Sequence, residues 1–236
     1  MNKPLMNIPN NLLKDFTLDG KIGVWNYYRD DTQDSEVYLE YNREQINLLM
    51  IKAKNKETGG YGDTDTFLYN LLEKYSIDKK TVAIMGSVSP WYESICLEFG
   101  GSPTTIEYNK IISKDNRLKT ITVKEYDKNP ICFDCAISIS SFEHDGLGRY
   151  GDPIDPYGDI KAMKKMKKTI KKDGLLFLAV PFGKDQLLWN LHRVYGRIRF
   201  PMLTDGWEII DSCGFEEKHY DLDGNTYHPV FVLKNI

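Results

Sequence analysis

From about residue 80 onward, short β-branched and apolar runs alternate with helix-patterned stretches, the order that specifies a parallel sheet covered by helices on both faces. The pattern predicts seven strands, at 81–85, 104–107, 119–123, 133–140, 175–180, 215–222 and 230–233. Residues 90–99 between the first two read as a helix, with Pro90 at its start, Ile95 and Phe99 four apart, and Gly100 and Gly101 where it stops. Further helices fit 109–117, 159–172, 185–195 and 205–212, with Asp159, Asp185 and Asp205 as N-caps and Gly174 and Gly214 at C-terminal ends. Gly224 and Asn225 make a turn between the last two strands, and so short a link makes those strands an antiparallel hairpin.

The first eighty residues are polar and Tyr-rich around Trp25, followed by two helical stripes: Ile46, Leu49, Met50 and Ala53, then Phe67, Leu68, Leu71, Leu72 and Tyr75. Between them lies a glycine-rich connector, Gly59-Gly60-Tyr61-Gly62-Asp63. It reads either as a plain surface loop or as a lid over a ligand. The expected organisation is an N-terminal helical extension over residues 1–80, packed on a catalytic-type α/β domain over 81–236.

Composition narrows the function classes. With 31 Lys plus Arg against 34 Asp plus Glu, the chain has a formal charge of −3, so it carries no global positive field for nucleic acid or an anionic membrane. The longest apolar run, 175–182, is far short of the roughly 18 residues that a spanning helix needs, and the N-terminal segment lacks a secretory pattern. A cytoplasmic protein without membrane insertion is the expectation. Four cysteines are too few and too irregular for a disulfide framework. Cys132 and Cys135 form a C-x-x-C in a strand-like context, where an odd offset sends the sulfurs to opposite faces and argues against a metal or redox pair.

The informative stretch is the apolar strand 81–85, which ends in Gly86 and Ser87 and opens a helix. Glu107 closes the next strand, 21 residues after Gly86, where a carboxylate meets the two ribose hydroxyls of an adenosine cofactor. A dinucleotide needs a second and third glycine so that its pyrophosphate can reach the backbone. Here the run is Gly86-Ser87-Val88-Ser89-Pro90-Trp91. S-adenosylmethionine has no phosphate and demands only a tight first turn, so it is the favoured cofactor.

The strings Gly86-Ser-Val-Ser-Pro-Trp-Tyr-Glu, Glu107-Tyr-Asn and Glu143-His-Asp-Gly-Leu-Gly-Arg-Tyr-Gly-Asp-Pro resemble those of a bacterial domain-of-unknown-function family related to class I methyltransferases. The resemblance spans about residues 20–235. It implies a Rossmann-like class I methyltransferase fold with a terminal antiparallel hairpin, and similarity to enzymes that O-methylate sugars of bacterial surface polysaccharides. The first turn departs from the commoner pattern by lacking a second glycine.

For O-methyl transfer a base must take the acceptor's proton. His144 is the first candidate, with Asp145 either orienting the imidazole or acting as the base itself. Arg149 is placed to grip a phosphate. The cofactor residues expected are Gly86 and Ser87 at the turn, Glu107 on the ribose, Tyr108 beside the adenine, Glu125 on the adenine amine with Asp127 competing, and Ser140 with Phe142 under the sulfonium. Asp152 and Asp155, with Glu143 or His144, read as turn and capping residues or as magnesium ligands, and no metal is assigned. The seven lysines of 161–172 are the wet face of an amphipathic helix. Trp189, His192 and Arg193 share a face that would meet a nucleotide-sugar diphosphate or make surface ion pairs. His219 and His228 receive no role. The expected activity is an S-adenosylmethionine-dependent O-methyltransferase acting on a small-molecule acceptor, a sugar or nucleotide-sugar. A nicotinamide-dependent oxidoreductase and a non-catalytic cofactor-binding protein are the alternatives. No nucleic-acid partner is expected, and self-association into a homo-oligomer is left open.

Overall fold

The computed structural model describes residues 3–32, 38–224 and 226–236. In chain order the elements are α1 (Leu13–Phe16), β1 (Gly23–Asn26), β2 (Leu39–Tyr41), α2 (Arg43–Lys54), α3 (Asp63–Lys74), β3 (Thr81–Met85), α4 (Trp91–Glu98), β4 (Ser102–Glu107), β5 (Ile111–Ser113) and β6 (Lys119–Thr122). The second half continues with α5 (Val123–Lys128), β7 (Phe133–Ile139), α6 (Gly158–Thr169), β8 (Ile170–Ala179), β9 (Gln186–Trp189), β10 (His192–Val194), α7 (Arg199–Leu203), β11 (Trp207–Cys213) and β12 (Val230–Asn235).

Seven strands form one sheet in the order β11-β12-β8-β7-β3-β4-β6. The five from β8 to β6 are mutually parallel, and β12 runs antiparallel to both of its neighbours. The central strands are buried on both faces because their alternate residues feed two cores. Val82 and Ile84 of β3 and Ile137 of β7 pack with Leu68 and Leu72 of α3 and Ile95 of α4. Ala83 and Ala136 point the other way, toward Met163 and Met166 of α6 and Phe200 of α7. No helix among the described residues is long and apolar enough to cross a membrane.

Several predicted elements are replaced, each through pairing that the local pattern does not reveal. Residues 109–117 are not a helix; β5 pairs parallel with β2 from the N-terminal region. Residues 185–195 form the β9–β10 hairpin, and β1 adds to it in parallel, giving a second, three-stranded sheet. Asp185 is therefore no N-cap: its carboxylate accepts from the backbone N–H groups of Gly196, Ile198 and Arg199 and shapes the entry to α7. Residues 207–213 are strand, not helix, since they saturate the open edge of β12, while most of 215–222 is a 3-10 turn (Glu217–Asp221). The antiparallel end of the sheet is real, but it is formed by β11 with β12 across a long connection, so Gly224 does not close a tight hairpin and Asn225 lies outside the described residues.

Residue 80 does not separate two cores. Leu68, Leu71 and Leu72 of α3 belong to the same cluster as β3 and β12, and the first eighty residues contribute strands as well as helices. Cys132 is exposed and Cys135 buried, the opposite placement expected from their spacing.

Candidate functional site

A cavity of about 1350 Å3 opens at the C-terminal ends of β3, β4 and β7, where the strand order reverses. That is where open α/β sheets bind ligands. Two sets of residues line it.

The first set is built on β3 and β4. Gly86, directly after β3, sits at φ +70, a conformation that favours glycine, and a Cβ there would lie 2.5 Å from Ser141 Oγ. The next N–H, of Ser87, donates to Glu107 Oε2 at 2.9 Å, and Tyr108 N–H donates to Glu107 Oε1 at 2.7 Å. The carboxylate at the end of β4 is thus held by backbone, with lone pairs left over at the cavity it lines. Burial raises its pKa, and the N–H donors oppose that rise. The Ser87 hydroxyl donates to the Ser89 carbonyl at 2.9 Å and lies 3.0 Å from the Tyr41 hydroxyl of β2. Where a G-x-G turn has its second glycine this one has Val88, and the intervening Ser87 is tied to the N-terminal region. Beneath it Glu93 of α4 is fully buried; one oxygen accepts from Thr105 Oγ1 at 2.7 Å, the other has no partner, and burial lifts its pKa to about 7.

The second set follows β7. Ser140, in the left-handed region at φ +52, turns the chain into a 3-10 turn (Phe142–His144). Gly146, at φ +83, then passes so close to the Asp155 carbonyl that a side chain would collide with it. The Nδ1 atom of His144 lies 2.7 Å from the Leu191 carbonyl oxygen, so the ring proton sits on Nδ1 and Nε2 keeps the lone pair. Arg149 approaches that Nδ1 at 3.3 Å but cannot donate to it; its Nε donates to Asp31 Oδ2 at 2.7 Å. Burial, then the Arg149 charge, pushes the His144 pKa down to about 3. Glu143 is fully buried, accepts from the Ser140 hydroxyl, has one unpartnered oxygen, and is lifted by burial to about 7. Asp145 lines the cavity, and burial together with the nearby Asp152 charge raises its pKa well above the usual carboxylate range.

A buried ionic hub fixes this loop. Arg193 donates to the carbonyls of Asp145 at 2.6 Å and of Glu143 and Asp155 at 3.3 Å. It sits 3.8 Å from Asp159, which accepts from Arg199 at 2.7 and 2.9 Å. Burial works to raise the Asp159 pKa, but the two guanidiniums outweigh it and hold it low.

Of the cofactor residues expected from sequence, Gly86, Ser87, Glu107, Tyr108, Ser140 and Phe142 all line this one cavity. Glu125 does not. It is the N3 residue of α5, and its carboxylate accepts from the Thr122 N–H and hydroxyl to close a capping box. Asp127 pairs instead with Lys165. His144, Asp145 and Arg149 come together in the cavity, but the Leu191 carbonyl rather than Asp145 orients the imidazole. Arg193 is spent on carbonyls and Trp189 is fully buried against Phe16, so neither meets a ligand. Asp152 accepts from the N–H groups of Gly146 and Gly148, and Asp155 from Tyr157 N–H and Lys161; both are turn residues. Among the described residues no group of three or more His, Cys, Asp or Glu is arranged to hold a metal. Two residues without an expected role line the cavity as well: Tyr61, in the glycine-rich connector, and His228, beside β12. The glycines that flank Tyr61 were the available signal for the former. For His228 there was none, because its approach depends on the corrected end of the sheet.

A family profile described as "Caenorhabditis protein of unknown function, DUF268" matches residues 79–233. Among solved structures, the chain is similar to the 1,6-didemethyltoxoflavin-N1-methyltransferase of Burkholderia thailandensis, determined with 1,6-didemethyltoxoflavin and S-adenosylhomocysteine bound. Identity is 15%, the match covers 88% of this chain and 97% of that one, and the TM-score is 0.50. TehB from Haemophilus influenzae is similar at 12% identity over 79% of this chain and 66% of that one, with a TM-score of 0.50. No curated protein sequence matches. At such identities the likeness is one of fold: a mostly parallel seven-stranded α/β sheet of the Rossmann-like class I methyltransferase type.

Proposed function

The chain belongs to the DUF268 family, and from its fold and cavity we propose that it is an S-adenosylmethionine-dependent O-methyltransferase acting on a hydroxyl of a sugar or nucleotide-sugar. The observation that carries this reading is the cradle at the ends of β3 and β4. Gly86 leaves room that a Cβ would fill, and Glu107 presents a backbone-held carboxylate beside it. Those residues suit a ribose diol. They suit a pyrophosphate less well, because the turn lacks the second and third glycines that let a pyrophosphate approach the backbone, and the Ser87 and Trp91 N–H groups are spent on Glu107 and on the Ser89 carbonyl. That disfavours the nicotinamide-dependent alternative.

In this reading Glu107 would hold the ribose, Tyr108 would flank the adenine, and Ser140 with Phe142 would lie under the sulfonium. The cofactor, when bound, supplies a methyl group already activated on a sulfonium. The chain has to align the acceptor, exclude water and receive one proton. Asp145 is the better base of the two neighbours: burial and Asp152 raise its proton affinity, whereas His144 is made a poor base by burial and by Arg149. His144 instead presents Nε2 as a hydrogen-bond acceptor that orients the incoming hydroxyl. The acceptor hydroxyl would give its proton to Asp145 as its oxygen is alkylated by the bound cofactor.

Calorimetry with S-adenosylhomocysteine and NAD tests the reading. Saturable binding of the first and none of the second is expected. Binding of NAD alone, or unchanged S-adenosylhomocysteine affinity in Glu107→Ala, would overturn it.

A further inference from the structure

Beside His144, the cavity carries imidazoles that the methyl-transfer reading does not use. Three imidazoles line it: His144, His192 and His228. The rings of His144 and His192 are 6.2 Å apart, and Tyr61 meets His228 edge-on at 5.3 Å. Nδ1 of His144 donates to the Leu191 carbonyl and Nδ1 of His228 to the Thr226 carbonyl at 2.9 Å. Each ring is left with an unprotonated Nε2. Nε2 of His192 is buried and has no hydrogen-bond partner at all, a costly state for a polar atom unless a ligand supplies the partner. All three rings are held neutral: burial takes His144 to about 3, His192 to about 4, and lowers His228.

Charge in the cavity points the same way. Arg29 and Arg149 both pair with Asp31, Lys161 pairs with Asp155, and Lys165 with Asp127. Lys52, on α2, is a single exposed ammonium. Negative charge is present as well, since Asp31, Asp152 and the Glu107 carboxylate also line the cavity. A diphosphate would meet cations already engaged and carboxylates that repel it.

We propose that the acceptor is an uncharged, polyhydroxylated molecule of the glycoside type, held through its hydroxyls by the imidazoles of His192 and His228, and not a sugar nucleoside diphosphate. This rests on the methyltransferase reading above. A hydroxyl, which both donates and accepts, supplies the partner that His192 Nε2 lacks in either tautomer and donates to the free Nε2 of His228, and neither contact needs a cation.

The test is methyl transfer from labelled S-adenosylmethionine to two matched sets: methyl glycosides of common hexoses and 6-deoxyhexoses, and the same sugars as uridine and thymidine diphosphates. Transfer to glycosides is expected. His192→Phe should raise the acceptor KM about ten-fold or more, with kcat and S-adenosylhomocysteine affinity kept, and His192→Gln, which restores an acceptor atom, should recover most of it. Transfer confined to the diphosphates, transfer to neither set, or an unchanged KM in His192→Phe would overturn the inference. Failure to bind S-adenosylhomocysteine at all would instead remove the methyltransferase reading beneath it.

Discussion

The two sides of the cavity are made in different ways. The β3–β4 side consists of the ends of adjacent parallel strands, and its key carboxylate is fixed by the N–H groups of Ser87 and Tyr108. The side beyond β7 gathers residues from the loop after β7, the β9–β10 hairpin, the approach to β12 and, through Asp31, the N-terminal region. It is held by a buried ionic hub rather than by a strand ladder. Backbone hydrogen bonding makes the first side generic and robust. The second depends on charges that are costly to bury.

The largest expected effect breaks the second side chemically. Asp145→Asn should lower kcat by about 10²–10⁴-fold with S-adenosylhomocysteine affinity unchanged, and the wild-type rate should fall, as pH drops, at a higher pH than an ordinary carboxylate would dictate, because the raised pKa protonates the base earlier. Near-normal turnover would transfer the role elsewhere. Removing the hub comes next: Asp159→Ala leaves Arg193 and Arg199 buried without their carboxylate and should cost about 3–5 kcal/mol in urea unfolding. A loss under 1 kcal/mol would mean that the hub does not hold the loop.

The first side is probed by Glu107→Ala, which should weaken S-adenosylhomocysteine binding about 100-fold in calorimetry, as expected for two charge-assisted hydrogen bonds. A smaller effect comes from pH. His192 titrates near 4 in the folded chain instead of 6.5, so between those values only the unfolded chain takes up that proton, and stability falls as pH drops. His192→Gln should flatten that decline by on the order of 1 kcal/mol; identical slopes in parallel denaturation series would count against the neutral ring. The smallest effect is Glu125→Ala, which removes a capping-box carboxylate and should cost about 1 kcal/mol or less while leaving cofactor affinity alone. Weakened binding there would restore Glu125 to the adenine.

How much was legible follows the same division. Gly86, Ser87 and Glu107 were readable because strand, turn and carboxylate lie within a short stretch whose spacing the α/β crossover sets. Residues 185–195 carried a helical stripe in Leu187, Leu188, Leu191 and Val194, yet β1, from some 160 residues earlier, converts them to strand. With that conversion Trp189 and Arg193 turn inward, and the diphosphate-gripping face disappears. Residues 207–213 likewise became strand because β12 offered an open edge.

By itself, then, the sequence determined a mostly parallel α/β sheet and the end of it at which the cavity opens, since hydrophobic period and crossover spacing are local properties of the chain. Only the tertiary structure decided which strands close the sheet and that His192 and His228 reach the cavity beside His144. Those outcomes depend on pairings between distant segments, and the hydrogen bonds and burial that such pairings gain outweigh the preference of any one segment.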